Sequence, residues 1–275
     1  MGSSNTRRPG GAIVPVLRRL RAFLRALHAS IVMVLGVSSF TLLCLVWLPF
    51  AWILRPLLSD GAESGAHGRR IGRRFIHQGF RLYLGFLRLF CANRFDLAAL
   101  DALRNTPPQV LVANHPSLLD VLLIVSRLPN VVCVMKAGLM NNILFGAAAR
   151  MAGYIRNDGP LEMILQADAA LAEGAHVLIF PEGGRTVEFP LDPFGQSAAL
   201  IARRANVSIQ SLLIGFSSPY LGKHWPLWRR PELPLRWSVR MGACYPRPTD
   251  VTACTRQMER DMRMALSAQL GSSIS

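Results

Sequence analysis

QVLVANHPSLLDVLLIVSRL, residues 109–128, is the stretch that decides the fold. Its first six residues make a short β-rich run, and Ser117 to Leu128 has the apolar spacing of a helix, so the chain passes from strand to helix at His115 and Pro116. A spacing of five is about 140° of turn on a regular helix, so His115 and Asp120 cannot face each other from one helix. His115 must therefore precede the helix. Pro116 fits the helix's first position, where its missing N–H costs nothing. Asp120, carried back beneath the imidazole, would accept one ring N–H, fix the tautomer and leave the other nitrogen to take a proton, as an orienting carboxylate does for a general base. On this segment alone a second reading stays open, in which His115 caps the helix and Asp120 is a surface residue.

From about residue 108 onward the same alternation continues. VVCVM (131–135), HVLIF (176–180) and VSIQSLLI (207–214) read as further strands. LMNNILFGAAARMAG (139–153), PLEMILQADAALAEG (160–174) and GQSAALIARRA (195–205) read as helices, one of them bracketed by Pro160 and Gly174. VTACTRQMERDMRMALSAQL, from Val251, forms a covering C-terminal helix. The predicted class is α/β, with a largely parallel sheet flanked by helices and functional groups at the strands' C-terminal ends. His115 falls at such an end.

Ahead of this domain, IVMVLGVSSFTLLCLVWLPFAWIL, residues 31–54, runs for 24 residues without a charge. A bilayer-spanning helix needs roughly 20. The run is too long for a signal-peptide core and is read as a retained anchor. Arg7, Arg8, Arg18, Arg19, Arg21 and Arg25 precede it, and Arg55, Arg69, Arg70, Arg73 and Arg74 follow, so the positive-inside rule draws both flanks to the cytoplasmic face of the inner membrane. A helical hairpin broken near Pro49 satisfies both flanks, and a simple span is the alternative. The next segment mixes arginines with Phe75, Phe80, Leu84, Leu87 and Phe90 at helical intervals, as an interfacial helix or one packed on the core would. Trp225, Trp228 and Trp237 mark either a second interfacial contact or a packed loop.

The chain of 275 residues is 51% hydrophobic and carries a net charge of +15, with Lys136 and Lys223 its only lysines. Such a surface seeks an anionic partner, and arginines gathered around an apolar anchor, without a nucleic-acid recognition module, favour lipid phosphates over nucleic acid. Cys44, Cys91, Cys133, Cys244 and Cys254 are scattered and odd in number; they read as buried small hydrophobes, with no metal site implied. His28, His67, His77, His176 and His224 share no ligand spacing, and His176 on a core strand reads as a buried, hydrogen-bonded histidine.

The second informative segment is HVLIFPEGGRT, residues 176–186, a strand ending in proline and followed by Glu182, two glycines and Arg185. Adjacent glycines let backbone N–H groups approach a ligand, and arginine is a bidentate donor to phosphate or carboxylate. Together, NHPSLLD and FPEGGRT resemble the first and third signatures of the glycerolipid acyltransferases, NHxxxxD and FPEGTRS, and the bacterial 1-acylglycerol-3-phosphate acyltransferases above all. The resemblance covers roughly residues 80–220. It implies a membrane-bound O-acyltransferase of phospholipid biosynthesis: an acyl-CoA or acyl carrier protein thioester donates, and a lysolipid hydroxyl, most simply that of 1-acylglycerol-3-phosphate, accepts. By the same resemblance His115 is the base, Asp120 orients it, and Glu182, Gly183 and Arg185 help bind the acceptor. GYIRN resembles the second signature and makes Arg156 a phosphate ligand, while KAGL matches a segment that supplies Lys136. No metal or cofactor is implied.

The division that follows is a basic segment 1–30, an anchor 31–58, an amphipathic interfacial helix 66–94 and an acyltransferase domain 95–275. Gly184 stands where the family usually has threonine, Gly138 where it has glutamate and Asp192 where it has a basic residue, and VSIQSLLI lacks the usual internal proline. These departures leave the acceptor head group open to a substituted lysophospholipid, a lyso-ornithine lipid or a specialised lipid. A non-catalytic lipid-binding protein is the remaining alternative.

Overall fold

The computed structural model describes residues 13–57, 62–226 and 229–272. Two long helices come first, α1 (Ile13–Leu57) and α2 (Ala62–Phe90). They are followed by β1 (Asn93–Asp96), β2 (Val110–Ala113), α3 (Asp120–Val125), β3 (Val131–Met135), α4 (Ala137–Met140), α5 (Ile143–Met151), β4 (Ile155–Arg156), α6 (Pro160–Ala172), β5 (His176–Ile179), α7 (Ser197–Ala205), β6 (Ile209–Phe216), β7 (Leu235–Tyr245) and α8 (Val251–Ser272). The sheet order is β1-β7-β6-β2-β5-β3-β4. From β6 to β4 every neighbouring pair is parallel, and β7 joins β6 antiparallel.

The sheet is buried on both faces, which is why its central strands are continuous apolar runs. Leu111, Ala113 and Leu178 point into a core with α2 and α3, whereas Val110, Val112, Val177 and Ile179 point into one with α6, α7 and α8. Helix α6 has Pro160 in its first turn and is followed, after its cap Glu173, by Gly174, whose φ of +86° suits a residue without Cβ.

Three sequence expectations change. The helix expected over 139–153 is two, because the chain turns at Asn141 and Asn142 between α4 and α5. Pro116 is not a first helical residue: 115–119 form a turn, and α3 starts at Asp120 itself. The basic segment 1–30 and anchor 31–58 are not separate elements either. From Ile13 onward α1 is one helix of 45 residues running through Pro49, so there is no hairpin break at that proline.

Instead, α1 pairs with α2. Gly36 lies beside Leu87, Phe40 beside Tyr83 and Trp47 beside Phe75, which makes the two helices antiparallel. Tyr83 Oη donates to Gly36 O at 3.0 Å. Trp47 also packs on Ala147 and Met151 of α5. The stretch Val16–Pro49 is long and apolar enough to cross a membrane.

Of the two readings of α2, interfacial helix or helix packed on the core, three of its arginines follow the second and lie on the domain. Arg73 is buried, donating to Ala152 O, Asn130 Oδ1 and Glu173 Oε2. Arg69 pairs with Glu173, and Arg70 donates to Glu173 O. Burial lowers the Arg73 pKa and the Glu173 charge opposes that. Gly153, at φ +68°, leaves room for Arg69: a Cβ there would stand 2.5 Å from Arg69 Cδ. Leu84 and Leu87 of the expected interfacial face are core residues, while Phe75 and Phe90 stay exposed.

Of the tryptophans, Trp237 is a core residue donating to Asn93 Oδ1, and Trp225 stacks under Arg229 in a packed loop. Trp228, Arg7 and Arg8 lie outside the described residues. Cys44, Cys91 and Cys133 are buried as expected, but Cys244 is exposed and Cys254 half-buried.

Candidate active site

The sequence-derived residues gather at one edge of the sheet because β2, β5, β3 and β4 are parallel neighbours whose C-terminal ends align. His115 follows β2, Glu182 and Arg185 follow β5, Lys136 follows β3, and Arg156 ends β4.

His115 Nδ1 lies 2.9 Å from Asp120 Oδ2. The same oxygen accepts Ser117 N at 2.8 Å, so the 116–119 turn closes a small ring around the carboxylate. Asp120 is fully buried, and its Oδ1 has no hydrogen-bond partner among the described residues. Burial raises its pKa, and the hydrogen bond to His115 works against that rise. Because Asp120 accepts from Nδ1, the proton sits there and the Nε2 lone pair is left as the base. Phe180 stacks on the imidazole with centroids 4.1 Å apart and planes at 22°, fixing the ring from its flat side.

Asn114 and Phe180 are functional residues missed in the sequence reading, although both lie inside the quoted motifs. The Asn114 amide donates to Ile214 O at 3.0 Å and accepts Ile214 N at 2.8 Å, locking the end of β2 to β6 just ahead of His115.

Glu182 bridges the two motifs through backbone amides. Its Oε1 accepts His115 N at 2.8 Å and its Oε2 accepts Asp192 N at 3.0 Å. Thr186 N returns a bond to His115 O at 2.8 Å. The carboxylate thus clasps the two motifs together. Burial raises its pKa, opposed by these amides. Gly183 stands at φ +67°, and its N–H closes the turn onto Phe180 O.

The candidate cations stand at the neighbouring strand ends. Arg185 Nη1 donates to Leu221 O at 2.9 Å and Gly222 O at 2.8 Å, tying the 217–226 loop to the site. Lys136 reaches over the glycine turn: a Cβ at Gly184 would stand 3.5 Å from its Nζ. A Cβ at 184 would meet the ammonium in ordinary contact, so space alone does not require glycine there. Arg156 is exposed and pairs with Asp158, with Asn141 Oδ1 at 3.4 Å, a solvent-facing arrangement that an incoming anion can displace. Asp192 does not confront this group. Its carboxylate accepts Val187 N and Glu188 N at 2.7–3.2 Å, capping its own loop. Gly138 has open space around it, and nothing in the structure explains it.

Beside the histidine turn a cavity of ≈ 270 Å³ runs between α1, α2, α3 and α5, walled by apolar groups such as Phe40, Phe80, Leu118, Val121 and Ala149. Leu118, inside NHPSLLD, joins it to the catalytic turn.

A family model described as Acyltransferase matches residues 94–215, which contain both motifs and the whole clasp. Residues 94–215 belong to the acyltransferase family. Among curated relatives, the chloroplastic 1-acyl-sn-glycerol-3-phosphate acyltransferase BAT2 of Brassica napus is 27% identical over 172 residues, 60% of this chain and 50% of its own. A putative 1-acyl-sn-glycerol-3-phosphate acyltransferase of Caenorhabditis elegans, acl-1, is 31% identical over 123 residues, 42% of this chain and 47% of its own. The chain thus spans about half the length of the curated relatives it matches. The crystal structure of the 1-acyl-sn-glycerophosphate (LPA) acyltransferase PlsC from Thermotoga maritima superposes with a TM-score of 0.56 at 17% identity, covering 91% of this chain and 98% of that one, and shares its fold.

Proposed function

We propose that this chain transfers a fatty acyl group from a thioester to the hydroxyl of a membrane lysolipid, with 1-acylglycerol-3-phosphate as the acceptor. The observation that carries the reading is the buried Asp120 holding His115 by Nδ1, on a turn whose Leu118 lines an apolar cavity. Nε2 takes the proton from the acceptor hydroxyl as its oxygen attacks the thioester carbonyl. When the tetrahedral adduct collapses, the C–S bond breaks and the imidazolium returns its proton to the leaving thiolate. The cavity takes the acyl chain. Lys136, Arg185 and Arg156 face the acceptor's anionic head group, and the relatives named for 1-acyl-sn-glycerol-3-phosphate support a phosphomonoester there. The chemistry needs no metal or redox cofactor, and acyl-CoA and acyl carrier protein both offer the required thioester. An apolar N-terminal helix and arginine-rich flanks favour attachment to the inner membrane with the domain on its cytoplasmic face.

The test is a competition in mixed micelles among lysophosphatidic acid, lysophospholipids with substituted head groups and lyso-ornithine lipid, with each thioester donor in turn. The proposal expects the highest kcat/KM for lysophosphatidic acid. A preference for a substituted head group would move the assignment to another acceptor, and no transfer to any of them would remove it.

A further inference from the structure

We infer that Lys223, on the loop after β6, is a further ligand for the acceptor's phosphate, presented beside the histidine turn by Arg185. The inference rests on the acyl-transfer reading and adds a residue to its acceptor site.

The loop is placed by its backbone. In the sheet order β6-β2-β5, the strand that carries His115 lies between the strands leading to the 217–226 loop and to Arg185. The bonds from Arg185 Nη1 to Leu221 O and Gly222 O, at 2.9 and 2.8 Å, therefore pass across the end of β2. Leu221 O also accepts Leu118 N at 3.1 Å, and a Cβ at Gly222 would stand 3.6 Å from Pro116 O. Residues 221 and 222 are thus held between the guanidinium and the histidine turn. Leu221 takes φ +54°, a left-handed backbone uncommon for leucine, at the very carbonyl that receives both donors.

The next residues form a fixed tip. Trp225 N donates to Gly222 O at 3.2 Å, closing the four-residue turn 222–225 with Lys223 and His224 at its centre. Trp225 fastens the turn from outside: Tyr220 meets its ring edge-on at 5.8 Å, Arg229 lies 4.3 Å over it, and its Nε1 donates to Arg229 O. Lys223 is exposed, and among the described residues no carboxylate pairs with it. The chain has only two lysines, and both border the glycine turn of FPEGGRT. Lys136 Nζ lies 3.5 Å from the Cβ position of Gly184, and Lys223 follows the carbonyl that Arg185 holds. Arg185 keeps Nε and Nη2 without a partner among the described residues. The Cα of Lys223 is about 3.8 Å from that of Gly222 and its flexible stem reaches roughly 6 Å further, so ammonium and guanidinium can close on one phosphate.

The ligand is set by bond count. In 1-acylglycerol-3-phosphate four bonds separate the attacking oxygen from phosphorus, so a molecule whose hydroxyl meets His115 Nε2 must keep its phosphate beside the histidine turn. The phosphopantetheine phosphate of a thioester donor lies more than a dozen bonds from the reacting sulfur and extends past this place.

Kinetics in mixed micelles and direct binding test the assignment. For the full chain, Lys223→Ala should raise the KM for lysophosphatidic acid about 10-fold or more and leave kcat within about threefold, and Lys223→Arg should recover most of the loss. Arg203→Ala, which removes an exposed charge from α7, should keep the parental KM. A raised KM for the thioester with an unchanged KM for lysophosphatidic acid would give Lys223 to the donor and overturn the inference. A fall in kcat with a lowered Tm and no recovery in Lys223→Arg would make it a structural residue of the turn and overturn it too. Calorimetric titration of lysophosphatidic acid into His115→Ala protein, with and without Lys223→Ala, needs no turnover. About 10-fold weaker binding in the double variant supports the inference even where the parent chain acylates no lysolipid, an outcome that removes only the acyl-transfer reading. Equal binding by the two proteins would overturn it.

Discussion

Asp120→Asn separates what the buried carboxylate does for the fold from what it does for chemistry. Asn can keep both of the accepted bonds, from His115 Nδ1 and Ser117 N, with its own oxygen at the Oδ2 position. Its NH2 group then occupies the Oδ1 position, where the carboxylate has no partner to lose. An unpaired buried donor costs about 1–3 kcal/mol, but removal of an uncompensated buried charge offsets it, so net stability near neutral pH should stay within about 2 kcal/mol of the parent. The pH dependence has a definite sign. Asp120 has a raised folded pKa, so its contribution to stability is full below the unfolded value near 4 and is lost as pH rises through the folded value. The Asn variant should therefore gain on the parent as pH rises through that window. Turnover should move the other way. A carboxylate 2.9 Å from a developing imidazolium is worth about 6 kcal/mol at an effective dielectric near 20, an upper figure of about 10⁴-fold. Loss of charge assistance in the one hydrogen bond sets the lower end, about 10-fold. Thermal melts between pH 4 and 8, paired with initial-rate assays, read both quantities. A folded Asn variant with near-parental kcat, or one that melts well below the parent at pH 8 but not at pH 4, would refute the reasoning.

Glu182→Gln must turn an NH2 toward either His115 N or Asp192 N, so it should lose about 1–3 kcal/mol in denaturant titration and lower kcat, with acceptor KM less affected. Gly79 lines the cavity, and a Cβ there meets nothing within 4 Å, so Gly79→Leu should fold normally and shift the donor preference toward shorter acyl chains in a chain-length series. Burial lowers the pKa values of His77 and His176, so both fold as neutral rings; their stability is full above about 6.5 and is lost as pH falls through the folded values, which melts from pH 7 to 5 should show as a falling Tm that His176→Gln makes shallower.

The parts of the fold legible in the sequence are those whose burial leaves a periodic trace. Strands β2, β3, β5 and β6 are covered on both faces and read as apolar runs. Strand β7 carries a strand's alternation, with Trp237 and Val239 inward and Arg236 and Arg240 outward, but its start was read with the tryptophan-rich loop that precedes it. Strand β1, NRFD, is too short and too polar to register. At the site, spacing forced the histidine off the helix, and the likeness of NHPSLLD and FPEGGRT to the acyltransferase signatures then singled out the His115–Asp120 pair. The work of Glu182 was not legible, since a carboxylate after a strand has the same letter whether it meets a ligand or two backbone amides. For Asp192 likewise, the sign is in the sequence, but its bonds to Val187 and Glu188 are not. The arginines of α2 look like a phosphate-facing row until Glu173, a hundred residues away, is brought against them.

The central claim is that His115 is the base in an acyl transfer, and the direct measurement is the initial rate of thioester consumption with lysophosphatidic acid, for the parent chain and for His115→Ala in the same micelles. The base should be worth 10²–10⁴-fold, so the variant is expected to retain the parental melting profile and lose at least about 100-fold in kcat. A folded His115→Ala protein that turns over within a few-fold of the parent would contradict the account.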